Sequence, residues 1–349
     1  MNTISNLRRE AKARGLFLPV SDSSAALHLP CTLHGHTVCN RRSLQVFPVW
    51  DAENGSPTQA TQARYVSAAQ SGCGLVWSEP MAICDGGKRN AGQLCLNESA
   101  LPELKAMVQA MRSAAPAQQP PVLIALLDHG GRSAEQPQCI EHRAAPDITD
   151  TSDTADIEPM TDSALQQLVV AAGEAARVAE AAGFDGIAFN AAHGSLFDES
   201  LSAFSRDGIF GGDFDDRTRF LRDCYTAAKL TTNSAFLAIC LNLCDGIAQP
   251  YGWGMAFEDF DAPDISEPSL LLQILRELYD VMLVACEVDA NDRGTADVLA
   301  QMSLACTCTA MLDSALQENV HLVMPACSEF AENIGAAMVQ KAFASFAAI

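Results

Sequence analysis

From about residue 44 onward, short apolar runs alternate with longer segments of helical periodicity, and this alternation restricts the fold more than any other feature. Bounded by Gly, Pro or Asp, the runs predict eight strands: Leu44–Val49, Gly74–Glu79, Val122–Leu127, Gly186–Asn190, Phe236–Leu241, Val281–Cys286, Val320–Met324 and Ser345–Ile349. The helical segments lie near 58–71, 99–115, 163–182, 215–230, 267–279, 295–318 and 329–341. This pattern predicts an α/β fold, the (β/α)8 TIM barrel.

A doubly wound sheet is the other fold that satisfies the alternation. Its dinucleotide-binding form needs a G-x-G-x-x-G loop directly after the first strand, and no such loop follows residue 49. We therefore favour the barrel and predict no cofactor site of the Rossmann type.

The segment 163–182 is the clearest helix. Its apolar positions recur at helical spacing from Leu165 to Ala179. Thr161 and the two residues after it are candidate caps at its start, and Gly183 is the expected stop.

The charge balance limits the classes of partner. The 349 residues include 22 Lys and Arg against 43 Asp and Glu, a formal net charge of −21, which nucleic acid and anionic membranes would repel. No stretch reaches the roughly 18 apolar residues of a membrane helix, and the N-terminus has no signal-peptide pattern. We expect a cytoplasmic protein with a small-molecule substrate and no nucleic-acid or membrane partner. The oligomeric state stays open.

Thirteen cysteines are too few for a disulfide scaffold in a chain of this length, and their number is odd. No C-x-x-C pair occurs, and the shortest spacing is Cys306-Thr-Cys308. Structural zinc and iron–sulfur sites normally gather ligands at short spacings, so we expect no metal. Most thiols are interpreted as small buried side chains in a reducing compartment.

Two regions accompany the predicted barrel of residues 44–349. Residues 1–43 form an N-terminal extension, in which Leu33–Cys39 could make a hairpin that closes the bottom of the barrel. The segment 133–162 is rich in Asp and is interpreted as a long acidic loop. It is either a solvated connector or a lid over the active face.

Barrel enzymes carry their chemistry at the C-terminal ends of the strands and in the loops that follow. The fourth predicted strand gives the strongest candidates, because Asn190 and His193 come three residues apart just after it. Such a donor pair can polarise a carbonyl or nitro oxygen and stabilise the negative charge that develops there. A structural histidine is the alternative for His193. Asp128 and His129 follow the third strand, where no motif adds a nucleophile, so a structural role is favoured for them.

The residues around this strand are similar to the Old Yellow Enzyme family of FMN-dependent ene-reductases. The run Ala175–Gly194 carries the resemblance, followed by Leu201-Ser202, Gly211-Gly212 and Arg217–Leu221. Agreement at earlier positions comes from Asn40-Arg41, Phe47-Pro48, Gly55–Thr58, Tyr65, Gly72–Glu79 and Leu126–Arg132. The similarity covers roughly residues 38–246 and is faint beyond residue 250.

The resemblance implies a TIM barrel with FMN at its C-terminal face. Reduced nicotinamide, NADH or NADPH, would pass hydride to the flavin, which passes it to an electrophilic alkene of the enone type. Asn190 and His193 would hold the oxygen of the substrate. The cofactor contacts implied for this sequence are Phe47, Pro48, Val49, Trp50, Pro80, Leu126 and Cys240.

Three positions depart from the family pattern. Leu126 stands where the family has a flavin-contacting Gln, and Cys240 stands where it has an Arg beside the N1–O2 side of the ring. Ser195 replaces the Tyr that commonly protonates the substrate, which makes it a shorter and weaker candidate acid.

The implied phosphate end departs as well. Met324–Cys327 follows the seventh strand in place of a Gly-rich turn, and Pro325 has no N–H to offer a phosphate. The predicted eighth strand, 345–349, ends where a Gly-Arg pair would begin. This pattern predicts a shortened family member with an incomplete C-terminal end of the barrel.

Two functions of different classes are therefore compared. The first is an FMN-dependent oxidoreductase that reduces an electrophilic alkene. The second is a flavin-free barrel relative, a pseudoenzyme that acts as a small-molecule-binding protein or as a partner subunit. A Cys-rich metal or redox protein is a third and weaker alternative, because no cluster of ligands is visible in the sequence.

Overall fold

The chain forms a closed barrel of eight parallel strands preceded by a small hairpin. The computed structural model describes residues 4–117, 120–141, 157–247, 252–256, 262–288, 298–316, 320–324 and 343–346. The hairpin strands are β1 (Cys31–Leu33) and β2 (His36–Val38). The barrel strands are β3 (Arg42–Gln45), β4 (Leu75–Ala82), β5 (Val122–Asp128), β6 (Gly186–Ala191), β7 (Phe236–Asn242), β8 (Leu283–Glu287), β9 (His321–Met324) and β10 (Phe343–Phe346).

Helices separate most of the barrel strands. They are α1 (Ile4–Ala13), α2 (Gln59–Gln70), α3 (Leu101–Ala114), α4 (Asp162–Ala182), α5 (Leu196–Leu201), α6 (Phe214–Thr231), α7 (Ser266–Tyr279) and α8 (Val298–Leu316). Short 3-10 turns lie at Ala25–His28, Asp85–Gly87 and Gly131–Ser133. No helix in the described ranges is long and apolar enough to cross a membrane.

The strand order confirms the predicted barrel. Each strand from β3 to β9 pairs in parallel with the next, and β10 pairs with both β9 and β3, which closes the ring. An incomplete C-terminal end was one expectation, but β10 closes the ring; this last strand begins at Phe343 and not at Ser345. The first strand also begins earlier, at Arg42, so Pro48 and Trp50 lie in the loop that follows it. The predicted helix 329–341 lies outside the described residues.

Burial on both faces explains why the central strands read as continuous apolar runs. Every residue of β5, β6 and β7 is buried. Alternate residues face the interior of the barrel and form an inner core: Leu33, Val38, Leu75, Trp77, Val122, Ile124, Leu126, Ala188, Ala192, Phe236, Ala238, Cys240, Leu283, Ala285 and Val323. The opposite faces pack under the helices.

Helix α4 has the boundaries that its sequence pattern predicts. The Thr161 side chain accepts a hydrogen bond from the N–H of Ala164, as an N-cap does. Gly183 ends the helix at φ 104°, a left-handed conformation that glycine adopts without a steric penalty. The predicted apolar stripe from Leu165 to Ala179 is buried.

The hairpin covers the N-terminal end of the barrel, as predicted. Leu33 and Val38 belong to the inner core, and the His34 ring stacks on Phe236 at the start of β7, with centroids 4.8 Å apart. Asn40 connects the hairpin to β4, because its side chain accepts from the N–H of Gly74 and donates to the carbonyl of Gly72. The hairpin lies where the sequence predicts it, whereas helix α1, which contacts α8 through Leu7, was not predicted.

Only the two ends of the predicted acidic loop fall within the described residues. They meet at a bridge between Cys139 and Pro159, and the N–H of Met160 donates to the carbonyl of Cys139. Asp162 forms an ion pair with Arg206 at the start of α4. The choice between connector and lid stays a prediction, because residues 142–156 lie outside the described part.

Glu180 fixes the turn between α6 and β7. Its carboxylate accepts hydrogen bonds from the main-chain N–H groups of Asn233, Ser234 and Ala235. Burial acts to raise the pKa of Glu180, but these hydrogen bonds dominate and lower it from 4.5 to about 2. The carboxylate form therefore stabilises the fold.

Replacing Glu180 with Gln is expected to lower the free energy of unfolding at pH 7 by about 1–2 kcal/mol, after allowance for solvent screening. A depressed pKa gives a contribution that is complete above pH 4.5 and is lost as the pH falls toward 2. Urea unfolding at pH 7 and pH 3 measures the free energy of unfolding, and the difference between wild type and variant should be smaller at pH 3. Glu174→Gln is the control, because Glu174 is exposed. An equal gap at both pH values would contradict this role.

Candidate active site

Four neighbouring strands bring the candidate residues to one end of the barrel interior. Strand register sets Leu126 opposite Ala188, Asn190 opposite Cys240, and Cys240 opposite Ala285. Leu126 and Cys240 belong to the inner core and are 1% and 2% exposed. Asn190 alternates along β6 with two inner-core alanines, so its side chain also faces the interior. These positions lie toward the C-terminal ends of the strands, the end of the barrel called the mouth below, and form its floor.

Asp128 is the centre of the polar network beside this floor. It is fully buried at the end of β5 and accepts hydrogen bonds from Arg89 Nε at 2.8 Å and Nη2 at 3.2 Å. Asn190 Nδ2 donates to the same carboxylate at 2.9 Å, and Gln93 Nε2 donates at 3.2 Å. One buried anion therefore holds side chains from two other parts of the chain, the loop after β4 and strand β6.

The pKa of Asp128 is lowered from its ordinary value of 3.8. Burial alone would raise it, but the charge of Arg89 and the hydrogen bonds from Asn190 and Gln93 outweigh that effect. Asp128 is ionised at neutral pH, and Arg89 compensates its charge.

His193 lies at the rim of the mouth in a strained turn. Its φ is 56°, in the left-handed region that residues with a side chain seldom adopt. Arg89 Nη1 donates to the His193 carbonyl at 3.2 Å, and Asp198 accepts from the N–H of Gly194 at 3.0 Å. These contacts fix the turn. The imidazole is exposed and forms a hydrogen bond with the thiol of Cys240.

The Asn190 side chain keeps an unused acceptor. Its Nδ2 donates to Asp128, while its Oδ1 is buried without a hydrogen-bond partner. A buried acceptor in this state favours a ligand that carries an N–H or O–H donor. Both predicted side chains, Asn190 and His193, thus lie at the mouth. One N–H of the Asn190 side chain is already donated to Asp128.

The predicted role of Ser195 as a proton donor is wrong. Ser195 is completely buried and caps the start of α5, where its Oγ accepts from the N–H of Asp198 at 3.1 Å. Its hydroxyl proton is donated to the main-chain carbonyl of Asn190. A hydroxyl used in this way has no proton to offer a substrate.

The loop after β3 brings the other predicted contacts to the side of the mouth. The side chains of Phe47 and Val49 are mostly exposed, and the Phe47 carbonyl accepts from Arg64 Nη1 at 2.8 Å. Pro48 and Trp50 are half-buried, and Trp50 has φ 59°. The half-buried Pro80 lies opposite Leu126 in register.

An ion-pair cluster supports this loop. Arg64 Nη2 contacts Asp51 at 2.6 Å and Glu79 at 3.1 Å. Burial raises the pKa of Glu79 to about 7, even though the Arg64 charge acts to lower it. The cluster fixes the position of α2 against the strand ends.

His129 has the structural role that the sequence analysis favoured. It is fully buried, and its Nδ1 accepts from the N–H of Gly131 at 3.2 Å. Burial lowers the pKa of His129 to about 4, so the ring is neutral at physiological pH.

Sequence reasoning missed three residues of the mouth. Arg89 and Gln93 lie in the loop after β4, which shows no regular pattern, and they reach Asp128 only in the folded chain. Glu287 ends β8, and its carboxylate lies within 4.8 Å of ligand atoms of His193 and Cys240. The strand-end rule could have selected Glu287, because it directly follows an apolar run.

The profile of the NADH:flavin oxidoreductase / NADH oxidase family matches residues 30–248, which is more than half of the chain. The chain belongs to this family. The matched region covers β3 to β7 and contains the mouth residues from Phe47 to Cys240.

Curated relatives include NADPH dehydrogenases. The protein from Listeria welshimeri is 32% identical over 200 residues, which is 55% of this chain and 56% of the relative. The protein from Bacillus licheniformis is 29% identical over 215 residues, which is 59% of this chain and 60% of the relative. This chain therefore matches somewhat more than half the length of these relatives.

Solved structures share the fold at low sequence identity. The Old Yellow Enzyme homologue from Zymomonas mobilis has a TM-score of 0.68 at 20% identity, over 92% of this chain and 88% of that one. Morphinone reductase has a TM-score of 0.66 at 15% identity, over 93% and 86%. A 2-naphthoyl-CoA reductase has a TM-score of 0.73 at 18% identity, over 92% and 50%.

Replacing Asp128 with Asn is expected to lower the free energy of unfolding by about 3–5 kcal/mol at pH 7, because Arg89 would lose its buried counter-charge. Because the pKa of Asp128 is lowered from 3.8, the contribution of this carboxylate to stability is complete above pH 3.8 and is lost as the pH falls further. Denaturant unfolding at pH 7 measures the loss. Asp22→Asn is the control, because Asp22 pairs with Arg8 at the surface and should cost less than 1 kcal/mol. Equal losses in the two variants would contradict the role of Asp128.

Proposed function

We propose that this protein is an FMN-dependent oxidoreductase that transfers hydride from NADH or NADPH, through the flavin, to an electrophilic alkene of the enone type. The observation that carries the proposal is the mouth of the barrel. Asn190 and His193 line it beside an apolar floor, in a chain that belongs to a family of flavin oxidoreductases. Family membership supports FMN as the cofactor and a nicotinamide as the reductant.

The residues of the mouth fit a flat, largely apolar ring. Leu126, Ala192 and Cys240 offer a small and uncharged floor. The unpartnered Asn190 Oδ1 matches a ring that carries an N–H donor, as the pyrimidine part of FMN does. In this proposal the main chain from Phe47 to Trp50 and the half-buried Pro80 border the same space. When bound, FMN would supply the hydride chemistry that none of these side chains can perform.

His193 binds the substrate oxygen in this proposal. An imidazole N–H at the rim can donate to a carbonyl or nitro oxygen and stabilise negative charge as it develops there. The contacts of Arg89 and Asp198 to the turn keep this group in place before the substrate arrives. Asn190 supports the same oxygen through its remaining N–H.

The proton that completes the reduction comes from solvent. Ser195 is excluded by its hydrogen bond to the Asn190 carbonyl, and the exposed His193 and Gly194 leave this side of the mouth open to water. A solvent proton adds to the carbon next to the activating group, so no buried acid is required.

FMN binding is the first test, because it separates the oxidoreductase from a flavin-free binding protein. Protein purified under mild conditions, or mixed with FMN and then separated from unbound FMN, should be yellow, and binding should quench FMN fluorescence. Cys240→Arg is expected to tighten FMN binding about tenfold or more, because a charged donor replaces a neutral thiol. Leu230→Arg is the control for added charge, since Leu230 is 82% exposed on α6. A colourless protein that ignores added FMN and still binds an enone would support the flavin-free alternative.

Replacing His193 with Ala is expected to weaken binding of a phenolic or enone ligand at least tenfold, since one charge-stabilising hydrogen bond is lost. Titration followed by ligand fluorescence or calorimetry measures the change. His28→Ala is the matched control, because His28 is exposed and precedes the hairpin at the other end of the barrel. Unchanged affinity in His193→Ala would remove this residue from the site.

A further inference from the structure

Three side chains of different metal-binding chemistry meet at one side of the mouth. A ligand atom of His193, the Sγ of Cys240 and a carboxylate oxygen of Glu287 all lie within 4.8 Å of one another. They come from three separate segments of the chain, so their approach is produced by the fold. Proteins use imidazole nitrogen, thiolate sulfur and carboxylate oxygen together to bind borderline divalent metals.

The barrel strands hold two of the three groups. Cys240 lies opposite Ala285 in the register of β7 and β8, and Glu287 follows two residues later on the same strand face. Both side chains therefore point into the mouth, one layer apart. Cys240 is 2% exposed, while Glu287 is half-buried. The thiol thus forms the bottom of the site and the carboxylate forms its wall.

His193, which carries the third group, has a strained backbone conformation. The left-handed region is strained for a residue other than glycine, and such strain concentrates at ligand sites. His193 adopts φ 56°, and Arg89 and Asp198 secure the residues around it. This turn directs the imidazole toward Cys240, with which it forms a hydrogen bond.

We propose that His193, Cys240 and Glu287 form a binding site for one divalent cation of the Zn²⁺ type, with a fourth position left open. Zinc sites have metal–ligand bonds of about 2.0–2.3 Å, so their ligand atoms lie about 3–4 Å apart. Small side-chain rotations bring separations of at most 4.8 Å into this range. Three protein ligands and an open position also describe metal sites that admit water or a further ligand.

The charges of the site select the metal. A neutral imidazole, a thiolate and a carboxylate sum to −2, which one divalent cation neutralises in a place where charge is poorly solvated. Mg²⁺ and Ca²⁺ prefer sets made of oxygen ligands, and the sulfur and nitrogen of this site disfavour them.

This site shares His193 and Cys240 with the proposed oxidoreductase, but the binding of a cation there does not depend on that function. The expectation of no metal was based on ligands that lie close together along the sequence. His193, Cys240 and Glu287 are dozens of residues apart and were therefore not found in this way.

The full chain without added FMN is titrated with Co²⁺, whose visible bands report tetrahedral geometry and lie beyond flavin absorption, and then with Zn²⁺. The expected result is one equivalent of tetrahedral Co²⁺ with thiolate ligation, displaced by Zn²⁺ and not by Mg²⁺. Cys240→Ser, Glu287→Gln and His193→Ala should each weaken binding at least tenfold. Cys31→Ser is the matched control, because Cys31 is half-buried in the hairpin at the opposite end.

Absence of binding, octahedral Co²⁺ spectra, or affinities unchanged by Cys240→Ser and Glu287→Gln would overturn the site. Thermal unfolding of each variant without metal shows whether a loss of binding reflects a loss of fold. Repeating the titration with FMN present separates the two proposals. Binding of zinc without FMN would support the metal site and contradict the proposed oxidoreductase. Binding of FMN without zinc would support the oxidoreductase and contradict the metal site.

Discussion

The buried ion pair between Asp128 and Arg89 organises the mouth of the barrel. An ionised carboxylate without exposure to water is tolerated only when its charge and its lone pairs are matched, and Arg89, Gln93 and Asn190 provide that match. The same guanidinium reaches the carbonyl of His193 and so connects the loop after β4 to the rim. The proposed chemistry depends on this network, because it positions both substrate-binding side chains.

The floor of the mouth is uncharged, and this determines what the site can hold. Leu126 and Cys240 lie on the inner face among alanines, so a ring bound there meets apolar contacts and few charged partners. The thiol, with Glu287 and His193 close by, adds an arrangement that a cation can use. Cys240 stands where the family pattern has an arginine. The thiol therefore offers a flavin no charged contact, but it offers a cation a sulfur ligand.

The sequence predicted the framework better than the site. Eight strands and the caps of α4 follow from local patterns, because apolar periodicity and capping residues act over a few positions. Asn190 was predicted because strand ends follow directly from strand positions, whereas Leu126 and Cys240 were predicted from the family resemblance. The role of Ser195 was misjudged, because a helix cap and a proton donor use the same hydroxyl and the sequence does not distinguish them.

The sequence by itself determined the alternation of strands and helices, the family motifs and the surplus of acidic residues, all of which are local or additive properties. Only the tertiary structure decided that β10 closes the ring, that Arg89 neutralises Asp128, and that Glu287 approaches His193. These pairs are separated by dozens of residues or more. Their contact depends on strand register and barrel closure, which are properties of the complete chain.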